Sequence, residues 1–257
     1  MYSFRISIAS HILQIDAPYK IVKDFFLDFL SDDSPELSIV LSDGDLIAKK
    51  YVYGKDNALL GWEGRIDISI LLQKVADELL SYDVFLIHGA AISLNNAGFI
   101  FIAPSGTGKT THIMKWIEKC KDVIVINGDK PFIKISDEEV PLIYGSPWAG
   151  KEEMYSKITT PLKAIIILER AENNIIERIS FTEAFPSLLY QTYRPEDADR
   201  FKKTLRLLQK MSTSVSFWRF QCNNFKDDCF DVSYKALTAV DTNEIVSAAT
   251  EREKNVF

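Results

Sequence analysis

The stretch Ala103-Pro104-Ser105-Gly106-Thr107-Gly108-Lys109-Thr110, with Thr111 behind it, has the residue types and spacing of a phosphate cradle. Glycines at 106 and 108 let backbone N–H groups turn inward around anionic oxygens with no Cβ in the way. A helix beginning near Lys109 points its positive dipole end at the same anion. The Lys109 ammonium would neutralise β- and γ-phosphates, and the Thr110 hydroxyl would ligate Mg2+. Ser105, Gly106, Thr107, Gly108, Lys109, Thr110 and Thr111 are therefore the expected nucleotide-binding residues. The usual pattern opens with Gly, where this chain has Ala103; the Gly-x-Gly-Lys-Thr core is intact.

Three further strings could carry chemistry. Asn127-Gly128-Asp129-Lys130-Pro131 follows a short apolar run. Alone it is an ordinary turn. Downstream of a phosphate loop and at a strand end, its Asp129 carboxylate can contact a metal or accept a hydroxyl proton. In Ile87-His88-Gly89-Ala90-Ala91, His88 interrupts an apolar run. It is either a hydrogen-bonded core histidine or an active-site one. The string Tyr144-Gly145-Ser146-Pro147-Trp148-Ala149-Gly150-Lys151-Glu152 makes a shaped loop with an exposed cation, and a purely structural turn is at least as good a reading.

The surrounding elements fit an α/β protein. Phe99-Ile100-Phe101-Ile102 reads as the strand before the phosphate loop and residues 110–121 as the helix after it, the strand–loop–helix order the motif requires. Residues 84–94 and 98–103 are dense apolar runs separated by Asn95-Asn96, as interior strands joined by a turn would be. Short strands are expected at 123–126, 131–136, 140–144, 164–168, 174–179 and 215–220. Helices are expected at 181–193, at 195–211 with Pro195 in the first turn, and at 231–240. Before residue 84 the alternation Tyr2-Ser3-Phe4-Arg5-Ile6-Ser7-Ile8 predicts a strand, with more at 37–41 and 46–53. Ile68, Leu71, Leu72, Val75, Ala76, Leu79 and Leu80 fall on one helical face, with Asp67 the expected N-cap. Residues 1–83 thus read as a small β-rich subdomain with a helix, and 84–257 as the catalytic domain. The last dozen or so residues are polar and are expected to be frayed.

Composition narrows the function classes. Thirty Lys and Arg against 36 Asp and Glu give a formal charge of −6 over 257 residues, which argues against nucleic acid or an anionic membrane as partner. No apolar run approaches a membrane span, and no signal-peptide pattern opens the chain, so a cytoplasmic location is expected. Three cysteines, Cys120, Cys222 and Cys229, cannot all pair within the chain and suit a reducing compartment. With His11, His88 and His112 the only histidines, spacing gives a zinc site almost no support.

Together, His88-Gly89, the Ser105–Thr111 loop and Asp129 about twenty residues later resemble the HPr serine kinase/phosphorylase catalytic domain, itself related to ATP-dependent phosphoenolpyruvate carboxykinase. The stretch from Gly145 to Lys151 is similar to one in stand-alone HPr-kinase-like proteins of bacterial peptide gene clusters, some of them tailoring kinases of lasso-peptide precursors. The resemblance covers roughly residues 84–220. It implies a P-loop kinase core with mixed, largely antiparallel sheets, using ATP and Mg2+. It also implies catalytic roles for His88, Lys109 and Asp129, metal contacts from Thr110 and Asp129, and a peptide or protein serine hydroxyl as acceptor. Relatives form hexamers, which leaves a homo-oligomer open. The family's acidic pair has only its second member here, because Gly128 stands in the first place. The family's Glu-x-Arg-Gly segment has no counterpart, and residues 1–83 are too few for its regulatory domain. These departures argue against HPr itself as the substrate. A small-molecule alcohol kinase and a non-catalytic nucleotide-binding accessory protein are the alternatives, and the intact Lys109, Thr110 and Asp129 weigh against the second.

Overall fold

The computed structural model describes residues 1–42 and 62–239. The opening alternation forms β1 (Tyr2–Ile8), and Ala9 and Ser10, at φ 51° and 65°, turn the chain into β2 (His11–Ala17). A short α1 (Lys20–Phe25) and a 3-10 turn at Leu27–Phe29 lead to β3 (Leu37–Val40). β2 pairs antiparallel with β1 and parallel with β3 in a three-stranded sheet. The expected strand at 46–53 lies outside the described residues, as does the charged tail.

The expected helix is α2 (Trp62–Leu79). It begins before Asp67, so that residue lies within the helix and is not its N-cap. A helix can start upstream of its apolar stripe, so the stripe's first residue does not mark the N-cap. Ile70, Leu71, Val75, Ala76 and Leu79 are buried in a cluster with Ile6, Leu13, Ile15 and Phe26. The same cluster takes in Val84, Leu86, Phe132 and Trp148, which ties the small sheet to the larger one.

The rest of the chain runs β4 (Val84–Leu86), β5 (Ala90–Leu94), β6 (Ala97–Ile102), α3 (Lys109–Lys119), β7 (Ile124–Asn127), β8 (Phe132–Ile135), β9 (Pro141–Tyr144) and β10 (Thr159–Arg170). Then follow β11 (Ile175–Ile179), α4 (Phe181–Gln191), α5 (Ala198–Met211), β12 (Ser216–Cys222) and α6 (Cys229–Thr238). The strands from β4 onward form one nine-stranded sheet. Its hinge is β10, twelve residues long. The first residues of β10 pair antiparallel with β9, and the remainder pairs parallel with β6 and β12. The other pairings, β4–β8, β8–β9, β5–β6, β5–β7 and β11–β12, are antiparallel. The fold is thus mixed α/β with mixed, largely antiparallel sheets and a small N-terminal sheet.

β6 is apolar throughout because both its faces are covered. Ile100 and Ile102 pack with Leu188 of α4 and Leu207, Leu208 and Met211 of α5. Phe99 and Phe101, alternating with them, pack with Ile113 and Trp116 of α3 and Phe230 of α6. The turn at Asn95-Asn96 is as expected, both residues at positive φ.

Two further expectations are corrected. Residues 84–94 are not one strand: the chain leaves the ladder at 87–89, so that β4 joins β8 while β5 joins β6 and β7. Hydrophobic content cannot reveal such a crossing, since both parts are buried. Pro195 also lies outside α5, whose N-cap is Asp197, its carboxylate accepting from the backbone N–H groups of Asp199 and Arg200. Among the described residues no helix is long and apolar enough to cross a membrane.

Candidate functional site

β6 delivers the chain to the expected phosphate loop, and α3 begins at Lys109. Gly106 and Gly108 sit at φ 78° and 114°, backbone that side chains other than glycine rarely adopt. The Gly108 carbonyl accepts from the His112 backbone N–H at 3.0 Å and from Asn224 Nδ2 at 3.1 Å. Because β10 runs parallel to β6, its last residue, Arg170, arrives at the same sheet edge. Its guanidinium donates to the carbonyls of Gly106 and Thr107.

Lys109 is only 8% exposed, and its Nζ donates to the Ala103 carbonyl at 2.7 Å. Burial lowers the pKa of this ammonium, and the Asp129 carboxylate pulls the other way. Thr110 and Thr111 occupy the first turn of α3. Ser105 and Gly106 are exposed on the loop.

Asp129 is positioned by a residue that sequence reading treated as mere turn. Asn127, fully buried at the end of β7, accepts through Oδ1 from the backbone N–H of Asp129 (2.8 Å) and of Lys130 (2.6 Å). Its Nδ2 donates to the Ser146 carbonyl (2.8 Å) and Oγ (3.1 Å), and Ser146 Oγ donates to the Lys130 carbonyl (2.7 Å). This clamp holds residues 127–130 in one shape. The Asp129 carboxylate is then gripped at both oxygens, Oδ1 by His88 Nε2 and Oδ2 by Lys130 Nζ, each at 3.0 Å. Burial pushes its pKa up, but the His88 hydrogen bond and the Lys130 charge outweigh that and hold it below the usual carboxylate value. His88 itself stands where the chain crosses between strands, its N–H bonded to the Gln191 carbonyl at 2.7 Å and that of Gly89 to the Asp129 carbonyl at 2.9 Å. The fold thus joins His88 to Asp129 by a direct contact and sets Lys109 within reach of the Asp129 charge.

The loop from Tyr144 onward anchors the site from behind. Trp148 is buried, donates through Nε1 to the Ile68 carbonyl at 3.0 Å, and packs on Phe25, Phe26 and Phe132. This loop also explains Gly128. A Cβ there would lie 2.8 Å from the Ala149 carbonyl oxygen, and the Gly128 N–H donates to the Met154 carbonyl at 2.9 Å. No acidic side chain fits at 128 in this backbone. Gly128→Asp should therefore lower stability by roughly 1–3 kcal/mol, as overpacking does. Thermal melting will show it, and an unchanged midpoint would mean that the loop is not seated against residue 128.

Sequence reading missed Lys130, Asn127, Ser146 and Arg170 as parts of this edge. A basic residue at the end of the 164–168 run was the one local hint of Arg170. It also gave no weight to His112, Cys222 and Cys229, whose Nδ1 or Nε2 and Sγ atoms lie within 4.8 Å of one another.

No protein-family model and no curated protein matches the chain. Among solved structures, the Hpr(Ser) kinase/phosphatase from Coxiella burnetii aligns at a TM-score of 0.40 and 8% identity, over 67% of this chain and 99% of that one. A likeness at that level carries no argument, and the geometry of the site is read from this chain's own residues.

Proposed function

We propose that this chain is an ATP- and Mg2+-dependent phosphotransferase whose acceptor is a serine hydroxyl of a peptide or protein. The observation that carries the reading is Asp129: an ionised carboxylate, fixed at both oxygens, held at the strand end within the field of the phosphate-loop lysine. Binding a nucleotide requires only the loop and Lys109. A carboxylate clamped beyond them serves transfer.

The Thr110 hydroxyl and the Asp129 carboxylate are hard oxygen donors, which suits Mg2+. When bound, that ion would neutralise phosphate charge as the γ-phosphoryl departs. Lys109 leaves the Ala103 carbonyl for a phosphate oxygen, a better partner for a buried ammonium. His88 keeps the Asp129 carboxylate aligned, and Asp129 orients the acceptor hydroxyl and takes its proton. Arg170 adds a cation at the rim of the loop. The peptide acceptor rests on the resemblance, read from the sequence, of the stretch from Gly145 to Lys151 to that of peptide-tailoring kinases.

A first test is binding. Mg2+ with ADP at about a hundred times its dissociation constant should stabilise the fold by roughly 2.7 kcal/mol, a clear rise in melting temperature. No rise with any nucleoside diphosphate or triphosphate at millimolar concentration would remove the phosphate-loop assignment. A second is transfer: radiolabelled γ-phosphate should appear on members of a serine-containing peptide library, and label found only on small alcohols would redirect the acceptor class.

A further inference from the structure

Three side chains from three elements meet beneath the first turn of α3. His112 lies on α3, Cys222 ends β12 and Cys229 opens α6. The two sulfurs are 3.1 Å apart, about 1 Å beyond the ~2.05 Å of a disulfide bond. Cys229 Sγ is 3.4 Å from His112 Nδ1. Asn224 Oδ1 lies 3.1 Å from Cys222 Sγ and 3.3 Å from Cys229 Sγ, so it accepts from a thiol only while that thiol keeps its proton, and its Nδ2 donates to the Gly108 carbonyl. One side chain therefore separates the sulfur pair from the phosphate loop.

A metal is the first alternative for such a cluster, and the His112 ring argues against it. Trp116 Nε1 donates to His112 Nε2 at 3.0 Å. An indole N–H can only donate, so Nε2 carries the lone pair and the neutral ring has its proton on Nδ1. A metal would need Nδ1 bare. Edge-on contacts with Phe101, Trp116 and Phe220 hold the buried ring in that orientation. The Nδ1–H therefore faces sulfur as a donor, which favours a thiolate.

The two thiols are unequal. Cys229 is the first residue of a ten-residue helix, where the dipole favours an anion. The hydrogen bond from Cys222, with a further one from His112, brings its pKa down to about 5 against the opposing effect of burial. Cys222, whose one S–H is shared between Cys229 Sγ and Asn224 Oδ1, is pushed up. Both sulfurs are buried, Cys222 6% exposed and Cys229 fully buried, behind a loop that is exposed only at 225–228, so that peroxide must reach Cys229 through an opening of that loop.

We propose that Cys222 and Cys229 form a reversible redox site, oxidised by hydrogen peroxide to an intrachain disulfide that slackens the phosphate loop. The Cys229 thiolate attacks one peroxide oxygen: an S–O bond forms, the O–O bond breaks, and hydroxide leaves as water after taking a proton. Cys222 then attacks the sulfenic sulfur: the S–S bond forms, the S–O bond breaks and a second water departs. Two thiols are oxidised and one peroxide is reduced. The disulfide removes the Cys222 S–H, the one thiol donor left to Asn224 Oδ1 once Cys229 is a thiolate. Asn224, half-buried, is then left with its Gly108 bond alone, and the first turn of α3 loses its brace.

The test uses the full chain carrying Cys120→Ser, so that the pair are its remaining thiols. After peroxide, intact mass should fall by two hydrogens and peptide mapping should find Cys222 joined to Cys229. Dithiothreitol should reverse both. Amide hydrogen exchange at residues 108–112 should quicken on oxidation, and ADP·Mg2+ affinity should fall about three- to tenfold, the worth of about one hydrogen bond. A Cys222→Ser variant keeps a donor to Asn224 and should bind ADP·Mg2+ like reduced protein before and after peroxide. Should it fold poorly, reversal of the parent by dithiothreitol decides instead. Unreacted thiols at millimolar peroxide, a sulfinic acid on Cys229 beside a free Cys222, or stoichiometric metal retained on the thiols would overturn the site. A disulfide without faster exchange would overturn its coupling to the loop. The affinity readout depends on the nucleotide reading above; if ADP binds in neither state that reading falls, while mass and exchange still decide this one.

Discussion

Asp129→Asn should leave nucleotide binding nearly intact and lower transfer to a hydroxyl by about two to four orders of magnitude, the usual contribution of a general base. The substitution keeps shape and removes one charge and one proton acceptor. The Asn127 clamp acts on the backbone N–H groups of residues 129 and 130, so the turn should survive. His88 and Lys130 lose their anionic partner, yet both are part-exposed and can turn to water. Isothermal titration with ADP·Mg2+ and single-turnover transfer at two Mg2+ concentrations separate the roles. Partial recovery at high Mg2+ marks a metal contact, and none marks a base. Near-normal transfer at both concentrations would exclude Asp129 from either role. The pH dependence follows from the same contacts. Since His88 and Lys130 hold the Asp129 pKa below the usual carboxylate value, the acid limb of the rate profile should lie below the ordinary carboxylate range, activity being lost as pH falls through it.

Lys109→Met should lower transfer by roughly two to three orders of magnitude without loss of stability. The ammonium is the one cation of the phosphate loop buried beside the expected γ-phosphoryl, and removing such a fixed charge from a water-poor site typically has this effect. Stability behaves differently because the apo protein gains little from this cation. Burial disfavours its charged form, so a methionine of similar length relieves desolvation. The loss is one hydrogen bond to the Ala103 carbonyl, about 1 kcal/mol. Melting should therefore shift by little, while the rise conferred by ATP·Mg2+ shrinks. Full turnover in the methionine variant would mean that the phosphates are held elsewhere.

The amino-acid sequence by itself determined the features whose cause lies within a few residues. The glycine-rich loop before Lys109 is one: Gly106 and Gly108 license its backbone, an apolar strand leads in and a helix leads out. The Asn95-Asn96 turn and the apolar stripe of α2 were legible for the same reason, since turn conformation and helical phase depend on near neighbours. Tertiary structure decided the rest. Asp129 could be named from its place after a strand, but its ionisation and aim come from His88, Lys130, Asn127 and Ser146, brought together by the crossing at 87–89 and by the loop behind β9. Gly128 looked like a lost acid until Ala149 was seen to occupy the space. Asp67 and Pro195 were misread as helix boundaries because a good cap type does not say whether the helix begins there. Cys222, Cys229 and His112 left no mark in spacing, since β12, α6 and α3 meet only through sheet pairing and helix packing. Backbone conformation is settled by neighbours along the chain, whereas the charge state and partners of a side chain are settled by whatever the sheet brings to within a few ångströms.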